Sequence, residues 1–307
     1  MAATADYRKY LEPRVLAKIS SLDLRARLIV EGLTNGTHRS PFQGISVEFA
    51  QHRQYVQGDD VRHVDWKVLA KTDKIYLKQY LQETNLQLIC VVDASESMGY
   101  GTVKTDTGET WTKHDHATAI AAALSYLTIQ QQDSAGLAVF DSTLRRYLKP
   151  VNTPGQWRII TKELEQTPRT GNTDTGKILS QLAEKLNHRS LILILSDLFD
   201  DFKALEKGLR QLRFKKHEIM VFQVLDPAEI YFPFTDLTCF EGLEQTGSRL
   251  GNPKSLRDAY LEHLRQFTEK TQKMCRAMHI DFTRMNTEES LDVSLTSFLA
   301  TRAASSR

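Results

Sequence analysis

Five side chains in this 307-residue sequence carry oxygen at places where chemistry could use it: Asp93, Ser95, Ser97, Thr173 and Asp197. The first three alternate along "ICVVDASESMGYG", the run from Ile89 to Gly101. An apolar stretch stops at an aspartate, and two hydroxyls follow with no further charge among the three. Asp197 closes a second apolar stretch, "LILILSD". Thr173 lies in "RTGNTDTGKIL", a glycine-containing loop running into a helix. All five are hard oxygen donors with no imidazole or thiolate, an inventory that suits Mg2+, Mn2+ or Ca2+ rather than zinc. Hydroxyls are weak ligands and Mg2+ keeps several waters, so the two carboxylates are expected to act partly through water. Such a site brings a cation close without neutralising it. Charge is left over for a carboxylate from outside, supplied by a protein partner.

Elements must hold these residues together. "LQLICVV" (86–92) is nearly continuously apolar and reads as a strand buried on both faces of a parallel sheet. "AGLAVF" (135–140), "SLILILSD" (190–197), "HEIMVFQVLD" (217–226) and "HIDFTRM" (279–285) read the same way, with "LRRYL" (144–148) as a short partner. Between them lie helical patterns: the alanine-rich stretch 115–131, a segment capped by Thr153 with Pro154 first, and the stretches 173–186 and 200–214. Asn252 and Pro253 open a long helix with apolar positions at Leu256, Tyr260, Leu264 and Phe267. Asn286 with Glu289 resembles a capping box for a last helix. This alternation predicts an α/β fold, a mostly parallel sheet with helices on both faces. Ligands of such sheets sit beyond the carboxyl ends of the strands. Asp93 and Asp197 lie at such ends and are expected on neighbouring strands facing one crevice. Residues 1–85 differ and read as an N-terminal extension packed on the sheet domain of 86–307. That domain carries an excursion with short strands at about 226–252.

The motifs resemble a known pattern. "DASES" fits the D-x-S-x-S signature of the metal-ion-dependent adhesion site in von Willebrand factor type A domains. "GNTDTGKIL" is similar to that family's threonine loop, and "LSD" to its third metal segment. The stretch "GISVEFAQHRQYVQGDDVRHVDWKVLAKTDKIYLKQY" and "LDPAEIYFPF" further resemble the family catalogued as domain of unknown function fifty-eight, a bacterial and archaeal branch carrying this domain. The likeness runs from about Phe42 to the final helix, with every metal-motif residue present. It implies a von Willebrand factor A-like, Rossmann-like sheet and a metal site at Asp93, Ser95, Ser97, Thr173 and Asp197. It also implies partnership with a MoxR-type AAA+ ATPase in an adaptor or co-chaperone role.

Other chemistries fit less well. No G-x-x-x-x-G-K-[ST] loop and no G-x-S-x-G elbow occurs, so neither a P-loop nucleotidase nor an α/β-hydrolase is supported. A Mg2+-dependent phosphatase with Asp93 as nucleophile is the best enzymatic alternative, but Ser95 stands where the second aspartate of such enzymes would act as acid. A scaffold with an unoccupied metal site is the other alternative, and a non-enzymatic role is expected. His114 and His116 in "KHDHAT" do not share a helix face. Asp59, Asp60, Arg62, Asp65 and Trp66 in "QGDDVRHVDWK" read as a salt-bridged turn. A net charge of +2 gives no pull toward nucleic acid or membrane surfaces. The apolar runs are too short to span a bilayer, and the first residues lack a leader core. Three widely spaced cysteines match neither a zinc site nor a disulfide framework. A cytoplasmic protein is expected.

Overall fold

The computed structural model describes residues 16, 21–22, 24–27, 29–30, 49–54, 66, 68, 75–80, 86–104, 108–169, 171–236, 238–241, 248–251, 253–291 and 295. The chain divides into two compact units, Phe42–Asn85 and Met1–Pro41 with Leu86–Arg307. In the smaller unit, β1 (Phe49–Gln54) pairs antiparallel with β2 (Tyr76–Tyr80), with a bulge between Phe49 and Gln51. The charged turn at 57–67 lies outside the described residues apart from Trp66, and so does the glycine loop at 40–46.

The larger unit is built on a six-stranded sheet. Its strands are β3 (Gln87–Asp93), β6 (Ser134–Phe140), β7 (Leu144–Val151), β8 (Leu191–Ser196), β9 (Glu218–Leu225) and β12 (Asp281–Asn286), while β4 (Val103–Lys104) and β5 (Thr110–Trp111) form a separate antiparallel pair. The six lie in the order β12-β9-β8-β3-β6-β7, all parallel except β7, which runs antiparallel to β6. Parallel strands need crossovers, and the helices that supply them cover both faces, which is why β3, β8 and β9 are apolar at almost every position. Ile89, Val91, Ile192 and Ile194 point to one face and pack with side chains of α3 (Thr175–Lys185) and α4 (Phe202–Phe214). The opposite face meets α1 (Lys113–Gln130), where the Cys90 thiol lies 3.8 Å from the Ala121 carbonyl and 3.7 Å from Ser125 Oγ. Burial pushes that thiol up to about 12, so it serves as a small apolar filler.

Helix α1 is buried nearly all round, because it lies beneath further elements as well as on the sheet. Trp157 of α2 (Pro154–Gln166) donates its indole N–H to the Ala122 carbonyl at 3.2 Å. The helical residues 22 and 24–27 attach nearby: Leu22 N–H donates to Glu165 at 2.8 Å, and the Arg25 guanidinium stands 5.4 Å from the Trp111 ring centre. Helices α3 and α4 cross at glycines. A Cβ on Gly176 would stand 2.2 Å from the Ala204 carbonyl carbon, and one on Gly208 would stand 2.7 Å from the Gly176 oxygen.

One helix start and one cap differ from the sequence reading. Helix α1 starts at Lys113, not Asp115, because Thr112 and Asp115 cap it reciprocally: Asp115 N–H donates to Thr112 Oγ1 at 3.1 Å and Thr112 N–H to Asp115 at 3.0 Å. Thr153 precedes α2 as expected, with Pro154 first, but its side chain makes no capping bond. Residues 226–252 hold α5 (Pro227–Tyr231) and the antiparallel pair β10 (Thr238–Glu241) and β11 (Ser248–Gly251). Helix α6 follows as Pro253–Ala277. Among the described residues, no helix is long and apolar enough to cross a membrane.

Candidate metal centre

The site forms where β3 and β8 end side by side. Val92 pairs with Leu195, so Asp93 and Ser196 come level at the strand ends and Asp197 is the next residue out. Asp93 is fully buried. Its Oδ1 accepts from Ser95 N–H at 2.9 Å, and its Oδ2 accepts from Ser196 Oγ at 2.6 Å and from Thr173 Oγ1 at 3.3 Å. Ser95 Oγ lies 3.0 Å from Ser97 Oγ. Four of the five expected residues therefore stand in one hydrogen-bonded cluster. Asp197, also fully buried, belongs to it through charge: burial first, and then the neighbouring Asp197 carboxylate, together raise Asp93 to about 6 against the lowering pull of its bonds to Ser196 and Ser95.

Backbone chemistry fixes the parts. A single 3-10 turn, Glu96–Gly99, follows Ser95 and presents Ser97 beside it. The loop bearing Thr173 is tied to this turn by Glu96 N–H donating to the Gly171 carbonyl at 3.0 Å, with Gly171 at φ +79°, a conformation that favours glycine. Asp174 then caps α3 by accepting from Lys177 N–H at 3.1 Å. After Asp197 the chain turns at Leu198, a buried leucine held at φ 63°, a costly conformation for this residue type.

Three residues of the site escaped the sequence reading. Ser196 shares the face of Ile192 and Ile194 by strand alternation, and that period was the available signal. Lys113 is the larger surprise. Its ammonium lies 2.8 Å from Asp197 Oδ2 and 2.7 Å from Glu229 Oε1, with the side chain 1% exposed. Burial alone would lower this lysine, but the attraction of Asp197 and Glu229 overrides it and holds the group charged. Glu229 is aimed by its own capping box: its second carboxylate oxygen accepts from Asp226 N–H at 2.8 Å at the start of α5. "DPAE" was the legible trace of that box. Asp226 in turn accepts from Thr102 N–H and Ala228 N–H, each at 2.8 Å, fastening the loop beyond the serine turn.

His114 and His116 are buried, and the Nε2 atom of each lacks a hydrogen-bond partner. Among the described residues, no group of three or more His, Cys, Asp or Glu side chains is arranged to hold a metal. The oxygen cluster at Asp93 is of a different kind, because hydroxyls supply most of it. Hydroxyls whose protons go to Asp93 keep lone pairs for a hard cation, so the donor set fits Mg2+, Mn2+ or Ca2+.

Comparison with known proteins places the chain. An uncharacterized protein of Mycobacterium tuberculosis and one of Mycobacterium bovis are each 27% identical over 227 residues, covering 72% of this chain and 68% of theirs. Among solved structures, the conserved hypothetical protein BatB from Bacteroides thetaiotaomicron matches with a TM-score of 0.47 at 13% identity, over 72% of this chain and 99% of its own. The SpRpn10 VWA domain matches with a TM-score of 0.40 at 14% identity, over 71% and 95%. The model of the family described as protein of unknown function DUF58 matches residues 51–270, and the chain belongs to that family.

Proposed function

We propose that this protein is a divalent-cation-dependent protein-interaction module. Asp93, Ser95, Ser97, Thr173 and Asp197 would hold Mg2+, with Mn2+ or Ca2+ as substitutes. The observation that carries the reading is the convergence of hydroxyls from Ser95, Ser97, Thr173 and Ser196 around one buried carboxylate, Asp93, at the carboxyl ends of neighbouring strands. A carboxylate buried beside a second one is poorly served by hydroxyl protons alone, as its raised proton affinity records. When bound, the cation supplies positive charge matched by few direct carboxylates, and so attracts an acidic side chain. Ser95 and Ser97 orient their oxygens on the 3-10 turn, Thr173 closes the site from the loop, and Asp93 anchors all three.

The partner we propose is a protein that contributes that carboxylate, within a system driven by a MoxR-type AAA+ ATPase and acting as adaptor or co-chaperone in the cytoplasm. A tagged protein captured with Mg2+ and then with chelator tests this. A AAA+ ATPase should co-purify with Mg2+ and be lost with chelator, and capture indifferent to metal contradicts the reading. A second reading, a scaffold whose site stays without metal, has one observation in its favour: Lys113 already supplies a cation to Asp197.

A further inference from the structure

Lys113 is the first residue of α1, and its backbone N–H donates to the Tyr100 carbonyl at 2.9 Å. A cation at a helix N-terminus opposes the helix dipole, and an ammonium with 1% exposure has lost its water. Packing alone gives no reason for lysine at this position. What holds it is a pair of carboxylates supplied by separate elements, Asp197 beyond β8 and Glu229 on α5. Glu229 is not adjustable, since its other oxygen is engaged by Asp226 N–H. Asp197 is likewise committed on both oxygens: Oδ2 to Lys113 and Oδ1 to Phe199 N–H at 3.2 Å. The Tyr100 and Phe199 rings, with centres 6.0 and 5.6 Å from the ammonium, enclose it further. Among the described residues no such cation contacts Asp93; its contacts there are hydroxyls and one backbone N–H.

The two carboxylates of the centre are thus unequal. We propose that Lys113 is a tethered cation that holds Asp197 back from direct coordination and keeps the site weak for divalent ions until an outside carboxylate joins. This rests on the cation-binding reading above and assigns Lys113 as the residue that sets the strength of that site. A metal held by one direct carboxylate and neutral hydroxyls stays attractive to an acidic partner. Releasing Asp197 would satisfy the metal internally and remove the need for one.

The test uses Mn2+ alone as probe, titrated calorimetrically into chelator-stripped protein. The samples are wild type, Lys113→Met, and Lys113→Met combined with Glu229→Gln. The double variant removes one charge of each sign. It frees Asp197 without leaving Glu229 as an unpaired charge, and it carries the test if the single variant does not fold. Both should bind Mn2+ more tightly than wild type, the single variant by about tenfold or more, as the loss of one nearby positive charge requires. Folded variants that bind Mn2+ no more tightly than wild type would overturn the role of Lys113 while leaving the metal reading intact. Binding by the variants but not by wild type would support Lys113 as the excluding cation and overturn the metal-dependent function. No binding in any of the three overturns both.

Discussion

Replacing Asp93 by asparagine should stabilise the metal-free protein. Asp93 is fully buried and shares the strand ends with Asp197, and burial first, then that neighbour, raises it from 3.8 to about 6. A carboxyl raised on folding contributes most to stability below its unfolded value and loses that contribution as pH rises through its folded value. Here the loss spans pH 3.8 to about 6 and is complete at pH 8. At about 1.4 kcal/mol per decade of acidity, the charged form costs about 3 kcal/mol. Asparagine keeps the shape and can still accept from Ser95 N–H, but Ser196 loses its charged acceptor, an offset of about 1 kcal/mol. The net gain for Asp93→Asn is therefore about 2 kcal/mol at pH 8, shrinking at pH 5. Urea unfolding in chelator at both pH values reads it. Mg2+ should then stabilise wild type and leave the variant unmoved. A variant less stable than wild type at pH 8 in chelator would refute the reasoning, because it would mean the native hydrogen bonds fully satisfy the charge.

Two further outcomes follow from packing and burial. Gly176→Ala places a methyl 2.2 Å from the Ala204 carbonyl carbon at the α3–α4 crossing and should cost about 2 kcal/mol or more in urea unfolding; an unchanged midpoint would show that the helices separate freely. Burial lowers His114 to about 4 and His116 to about 3, so their neutral forms stabilise the fold above the ordinary value of 6.5, and that stability is lost as pH falls from 6.5 toward about 4 for His114 and about 3 for His116. His114→Gln with His116→Gln should flatten the acid side of the stability profile, whereas an unaltered acid limb would place the loss at other groups.

The alternation of apolar runs and helical patterns made the parallel sheet legible, because strands buried on both faces leave no polar period to confuse with a surface strand. Asp93 and Asp197 were legible as strand ends for the same reason: each is the first charge after an unbroken apolar run. Their adjacency followed from the switch-point rule and is realised in the pairing of Val92 with Leu195. Lys113 was not legible. Its meaning depends on two carboxylates 84 and 116 residues away, and a lysine in a polar run normally reads as solvated. The start of α1 at Lys113 was hidden because Asp115 has the type of a first cap, whereas the pairing with Thr112 makes it the third residue. Glu229 lay in a segment read as an excursion, though Asp226, Pro227 and Glu229 together spell a helix start.

The central claim is that hydroxyls on the serine turn hold a divalent ion. Electron paramagnetic resonance of Mn2+ at millimolar concentration, with wild type and with Ser95→Ala combined with Ser97→Ala, tests it most directly. The account predicts one saturable bound Mn2+ in wild type and its loss in the double variant, with unchanged circular dichroism. Absence of bound Mn2+ in wild type, or equal binding in both proteins, would contradict it.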